Sequence, residues 1–273
     1  MRLGDGYNLF VEDVGQGYPI VCLHGGPGCD HTMFRPYLDP LADEFRLLYV
    51  DERGQGRSDR VDPETLSVEV FARDVDLLAD ALGLDEFALL GHSFGAIIAA
   101  WHATELGTAA AYVISAGTDS SAALETDVEQ NLAACDDPSG NIARSWELEK
   151  SVATEAEFAQ LMDMQAPWHF HGAPQPDAFR DTVYAPAVLR HFANIGYGDF
   201  DYTPKLAQVD KPALILVGEH DRTTTPRAAR VLHEQIPNSE LVVILGAGHM
   251  SYIENPDTYL PAVRRFLGRV AGS

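Results

Sequence analysis

Seven short apolar runs recur along the chain, and helical patterns lie between several of them. The runs cover residues 7–14, 19–25, 46–51, 87–92, 110–117, 212–221 and 240–249. Most are continuous, as strands read when both faces of their sheet are covered. The stretch 67–84 places Val70, Phe71, Val75, Leu77, Leu78 and Leu82 near helical spacing, with Ser67 placed to cap it. Residues 96–106, 226–236 and 256–270 read as further helices. The second of these opens on Pro226, a favoured first helical residue. Strands alternating with helices predict an α/β fold, a mostly parallel sheet with flanking helices and right-handed crossovers.

The alternation stops between about residues 118 and 205. That segment is first polar and helical ("SWELEKSVATEAEFAQLMDM"), then aromatic and proline-rich ("APWHFHGAPQPDAF"). It sits between two strands of the predicted sheet. It therefore reads as an inserted helical cap, 118–205, over a core domain formed by 1–117 and 206–273. Its length and aromatic content suit a lid over a site.

Composition narrows the partners. The chain has 41 acidic and 19 basic residues, a net charge of −22. Nucleic acids and anionic membrane surfaces need a basic footprint, so the balance argues against both and favours neutral or cationic ligands. The expected partner is a small molecule or a short peptide, met by a monomer or a small homo-oligomer. Cys22, Cys29 and Cys135 are odd in number and lack C-x-x-C spacing, which points to a reducing, cytoplasmic setting. The first residues lack the apolar core of a signal peptide, and no run approaches the ~20 apolar residues of a membrane span.

Within "LLGHSFGA" (89–96), Ser93 stands between Gly91 and Gly95 where an apolar run gives way to a helix. G-x-S-x-G alone is weak, because glycine and serine are common in turns. Strand, tight turn and helix together are the context of a nucleophile elbow. Glycine on each side lets the backbone approach closely, and the turn projects the hydroxyl at a helix N-terminus that favours negative charge. A serine hydroxyl needs a base. Asp221 follows one late apolar run and His249 the last, giving the order Ser93, Asp221, His249. Glu219 is the runner-up acid. His92 should point away from the hydroxyl, and His102 lies mid-helix. His169 and His171 form an H-x-H pair without a third ligand, so no metal is expected. The glycines of "CLHGGPG" (22–28) suit an oxyanion hole, with the N–H groups of Gly26 and Phe94 as donors.

These residues resemble the α/β-hydrolase superfamily, and more narrowly the proline iminopeptidase-like serine hydrolases. "HGGPG" (24–28), "DERGQGRSD" (51–59), "GHSFGA" (91–96), "DYTPKL" (201–206), "GEHD" (218–221) and "GAGH" (246–249) follow that pattern in order over nearly the whole chain. The resemblance implies an eight-stranded sheet with a helical cap after the sixth strand, no cofactor, and a structural role for residues 51–59. It also implies acids that hold a substrate's free amine, one of them in the cap. The counterpart here is "RSWELEK", with Trp146, Glu147 and Glu149. Candidate substrate-binding residues are Glu147, Trp146 and Trp168. Beside Asp221, where the family usually has an acid, stands Arg222, which would repel an amine if it faced the site. Two readings follow: an aminopeptidase on small N-terminal residues, or an esterase or lactonase on small neutral substrates. A non-catalytic receptor would not need all three triad residues. A dehalogenase would carry aspartate at the nucleophile position.

Overall fold

A strand forms within or across each of the seven apolar runs. In the computed structural model, which describes residues 1–175 and 178–272, these are β1 Phe10–Gly15, β2 Tyr18–Leu23, β3 Phe45–Asp51, β4 Ala88–His92, β5 Ala111–Ser115, β6 Ala213–Gly218 and β7 Ser239–Ile244. Pro176 and Asp177 of the proline-rich stretch, and Ser273, lie outside the described residues. The sheet order is β1-β3-β2-β4-β5-β6-β7, with β1 antiparallel to β3 and the other pairs parallel.

Among the described residues the sheet has seven strands, where the resemblance implied eight. The insertion accordingly follows the fifth strand, not the sixth. Before β1 the chain forms only an isolated antiparallel bridge between Arg2 and Asn8. It turns back at once through Gly6, at φ +96°, and Asn8 spends its backbone and side-chain N–H groups on Asp59 at 2.9 Å each.

The helices are α1 Val68–Leu82, α2 Phe94–Glu105, α3 Ser121–Ala134, α4 Asn141–Glu149, α5 Glu155–His169, α6 Pro186–Asn194, α7 Pro226–Gln235, α8 Ser251–Glu254 and α9 Pro256–Ala271. Ser67 caps α1 by accepting the Val70 N–H at 3.2 Å. Period-two alternation distributes the strand side chains between two buried clusters. Val21, Leu23, Leu89, Ile215 and Val217 join the α1 and α2 side, and Ile20, Cys22, Leu90, Leu214 and Leu216 join the α9 side. Burial on both faces is why the runs are continuously apolar. Helices α3 to α6 lie between β5 and β6 and carry a smaller cluster around Phe158, Leu161 and Tyr184.

The 51–59 loop is tied down by its charges. Arg53 pairs with Asp74, Arg57 with Asp30, and Asp51 accepts the N–H groups of His31 and Arg57 at 2.9 and 2.7 Å. Cys22, Cys29 and Cys135 are all free thiols. No helix among the described residues is long and apolar enough to cross a membrane.

Candidate active site

One residue separates β4 from α2, and it is Ser93, held at φ +55° and ψ −115°. Side chains rarely occupy that region, and such strain concentrates at functional positions. The flanking glycines make the turn possible. A Cβ on Gly91 would lie 2.1 Å from the Gly95 carbonyl oxygen, and one on Gly95 would lie 2.2 Å from that of Leu23. No rotamer change relieves a clash with backbone. The Ser93 N–H donates to Ser115 O at 2.9 Å, which fixes the turn to the neighbouring strand.

The loops after β6 and β7 bring Asp221 and His249 to this serine. His249 Nε2 lies 2.9 Å from Ser93 Oγ, and His249 Nδ1 lies 2.8 Å from Asp221 Oδ2. Asp221 also accepts from the Thr223 N–H, the Thr224 N–H and the Thr224 hydroxyl at 2.9, 3.1 and 3.0 Å. Glu219 does not reach His249: it is half exposed, accepts the Gly246 N–H at 3.0 Å and faces His220.

Two other imidazoles flank His249. The His92 ring centroid is 5.0 Å from it and that of His169 is 5.2 Å. Burial, with the neighbouring imidazoles second, holds His92 far below its ordinary pKa. Burial, then His249, pushes His169 down to about 3. Both rings are therefore neutral at physiological pH. The two histidines of the H-x-H pair part company: His171 stacks on His220, with centroids 3.7 Å apart. His102 is a buried structural residue between Tyr112 and Asp76.

Ser93 and His249 open into a cavity of about 860 Å³ between the sheet and the insertion. Gly26 and Phe94 line it beside Ser93. Phe94 is the first residue of α2, so its N–H belongs to the four that a helix leaves without an intrahelical acceptor. Among the described residues, the cavity lining includes Glu125, Glu129, Glu147, Glu149 and Asp199, with Lys150 as its one lysine.

The insertion residues sort differently from the sequence expectation. Trp146 lines the cavity, and its buried indole N–H has no hydrogen-bond partner among the described residues. Glu147 reaches the same cavity only from its rim. Its side chain is 76% exposed and lies 3.7 Å from Lys150. Glu149 is the buried acid, 5% exposed, accepting from Gln165 Nε2 at 2.6 Å and from the Tyr197 hydroxyl. Burial pushes its carboxyl up to about pH 7 against those two hydrogen bonds. Helical geometry carried a usable signal here: Ile142, Ser145 and Glu149 form the buried face of α4, with Glu147 off that face. Gln165 and Tyr197 are distant in sequence and gave none.

Trp168 does not belong to the cavity lining. It is fully buried behind the wall, and its indole N–H donates to Thr223 Oγ1 at 2.8 Å. Arg222 also stays out of the lining. Its guanidinium lies over the Trp168 ring, 6.0 Å from the centroid, and reaches Cys135 Sγ at 3.7 Å. The charge expected to repel an amine therefore points elsewhere.

A family model for the alpha/beta hydrolase fold matches residues 18–256. The chain belongs to the alpha/beta hydrolase fold family. This alpha/beta hydrolase is similar to the proline iminopeptidase of Heyndrickxia coagulans, 28% identical over 95% of this chain and 93% of the relative. Among solved structures it resembles a proline iminopeptidase-related protein from Thermus thermophilus, with TM-score 0.79, 26% identity, and coverage of 100% of this chain and 97% of that one. It also resembles a thermophilic esterase from Thermogutta terrifontis, with TM-score 0.71, 27% identity, and coverage of 97% and 94%.

Among the described residues of the hydrolase, one group has the residue types of a metal site. Donor atoms of Asp30, His31 and Asp51 lie within 4.8 Å of one another. Their capacity is already used. Asp51 Oδ1 sits 2.6 Å from His31 Nδ1, and Asp30 Oδ2 accepts the Val183 N–H at 2.9 Å and pairs with Arg57. The cluster anchors the 51–59 loop.

Proposed function

We propose that the chain is a serine hydrolase acting through an acyl-enzyme, and that its preferred acyl group carries a free amine. The observation that carries the first part is His249 within hydrogen-bond distance of both Ser93 and Asp221. Asp221 fixes the tautomer with the proton on Nδ1, which leaves Nε2 to accept the Ser93 proton. Ser93 Oγ attacks the substrate carbonyl, and the oxyanion meets the N–H groups of Gly26 and Phe94. His249 then returns the proton to the departing amine or alcohol as the carbonyl–leaving-group bond breaks. Water, deprotonated by the same imidazole, releases the acyl group and restores Ser93. The positive charge on His249 forms between two neutral rings, so no like charge opposes it.

Glu149 carries the second part. A buried carboxylate on the wall of a cavity rich in acids suits an ammonium, and Trp146 beside it offers an apolar flank. With Arg222 turned away, the reading as an aminopeptidase for small N-terminal residues, similar to the proline iminopeptidase relatives, leads. In this reading residues 118–205 are the cap that supplies the amine site. The three free thiols support a reducing, cytoplasmic setting.

Hydrolysis of small neutral esters is the second reading. It is favoured by the likeness to the Thermogutta esterase, and by a Glu149 carboxyl that is largely neutral below about pH 7. A substrate panel separates the two. Proline-, alanine- and leucine-linked chromogenic anilides are compared with short-chain nitrophenyl esters and lactones. Higher kcat/KM on the anilides supports the aminopeptidase. Turnover of esters or lactones alone moves the protein to the second reading. A fluorophosphonate that fails to label Ser93 removes both.

A further inference from the structure

The C-terminal end of α5 touches both loops that carry the triad's acid and base. On the acid side, Trp168 donates its indole N–H to Thr223 Oγ1 at 2.8 Å, and the Thr223 N–H donates to Asp221 Oδ1 at 2.9 Å. The same loop is held from α3. Asn131 Nδ2 donates to the Arg222 carbonyl at 2.9 Å, and Asp127 accepts from the Thr225 hydroxyl at 2.6 Å. On the base side, the His169 carbonyl accepts the His249 N–H at 2.8 Å. Glu254 completes that attachment. One of its oxygens accepts the Gly248 N–H at 2.6 Å, and the other accepts the His171 and Gly172 N–H groups at 2.8 Å each.

We propose that Trp168–Gly172 is a positioning element, which keeps the Asp221 and His249 loops in register with each other. Trp168 acts through Thr223, and Glu254 acts through Gly248. Seating of the insertion and alignment of the triad are then one event, and α5 cannot lift as a free lid without pulling on both loops. A displacement of about 1 Å in such a constellation costs on the order of 100-fold in rate, so small losses of register are readable. The proposal rests on the serine-hydrolase reading but not on the amine site.

The test uses Trp168→Phe, which keeps an aromatic ring and deletes the donor, and Thr223→Val, which deletes the acceptor. The expected result is a roughly tenfold fall in kcat on every substrate, including the smallest acetate ester, with KM moved less than about twofold. The double variant loses no more than the larger single one, because both break the same link. Thr223→Ser, which keeps the hydroxyl, recovers most of the loss seen with valine. In the resting protein, the low-field proton resonance of His249 Nδ1–H shifts or broadens in both single variants. Glu254→Gln supplies a second route to the same readouts if Trp168→Phe folds poorly. A loss confined to KM or to bulky acyl groups would make Trp168 a pocket wall and overturn the proposal. Unchanged kcat and resonance would do the same. A wild-type protein that neither turns over nor labels with fluorophosphonate sinks the hydrolase reading, while the resonance still decides the positioning role.

Discussion

Ser93 and Glu149 line one cavity, yet different physics puts each of them there. Ser93 is placed by backbone. A strand ends, two glycines let carbonyls approach within reach of where a Cβ would stand, and a helix begins. Glu149 is placed by burial and by partners far away in the chain, Gln165 and Tyr197. Local backbone fixes the conformation of the core residue, and the loops after β6 and β7 bring it the partners it needs, Asp221 and His249. The insertion residue is held by desolvation and a few hydrogen bonds, so pH and substrate charge can act on it. In the proposed reading the core carries the reacting groups, and the insertion adds the amine site.

The largest effect belongs to the core side. Ser93→Ala and His249→Ala should each cut kcat by roughly 10⁶ with the fold intact, as loss of such a member does in a related triad. Circular dichroism checks the fold, and turnover that persists on substrates the wild type processes would break the comparison at its root. Next comes Gly95→Ala. Its Cβ would sit 2.2 Å from a backbone oxygen, so we expect a loss above about 4 kcal/mol, read by denaturant unfolding or as insoluble protein.

On the insertion side, Glu149→Gln should lower kcat/KM on aminoacyl anilides roughly 10- to 150-fold, corresponding to about 1.5–3 kcal/mol for a charge-assisted contact. Neutral esters should lose little. Glu147→Gln, on the exposed rim, should change either substrate less than about twofold. Equal effects of the two variants would erase the distinction drawn between the acids.

The fourth prediction concerns pH. Burial raises the Glu149 carboxyl to about 7, so it is protonated below that pH and cannot pair with an ammonium. The ratio of anilide to ester kcat/KM should rise as pH passes 7, because the ester reports the triad alone. It should fall again above about pH 8, where an α-amino group loses its proton. The rise should vanish in Glu149→Gln. Stability has the opposite sign. The folded protein holds this proton more tightly than the unfolded chain, so stability is lost as pH climbs from about 4.5 through 7, by on the order of 3 kcal/mol. Thermal unfolding of wild type and Glu149→Gln across that range checks it. The smallest expected effect is that of a chelator. Dialysis against EDTA should leave activity intact, since the proposed route uses an imidazole base and backbone donors. Loss restored by zinc would require a metal role.

The sequence by itself determined the α/β class, the seven strands and the meeting of Ser93, Asp221 and His249. Each rests on a local rule: continuous apolar runs for doubly covered strands, glycine where backbone meets backbone, and loops at strand ends for functional groups. The tertiary structure decided the rest. Among the described residues it gave seven strands where the resemblance implied eight, with only an isolated Arg2–Asn8 bridge ahead of β1. It buried Glu149 and left Glu147 at the exposed rim of the same cavity, and placed Trp168 behind the wall against the Asp221 loop. It also turned Arg222 toward Trp168 and Cys135. These outcomes depend on contacts between residues far apart in the chain. A local pattern fixes backbone shape and periodicity, but which face of a helix is desolvated, and what it meets there, is settled only when the elements pack.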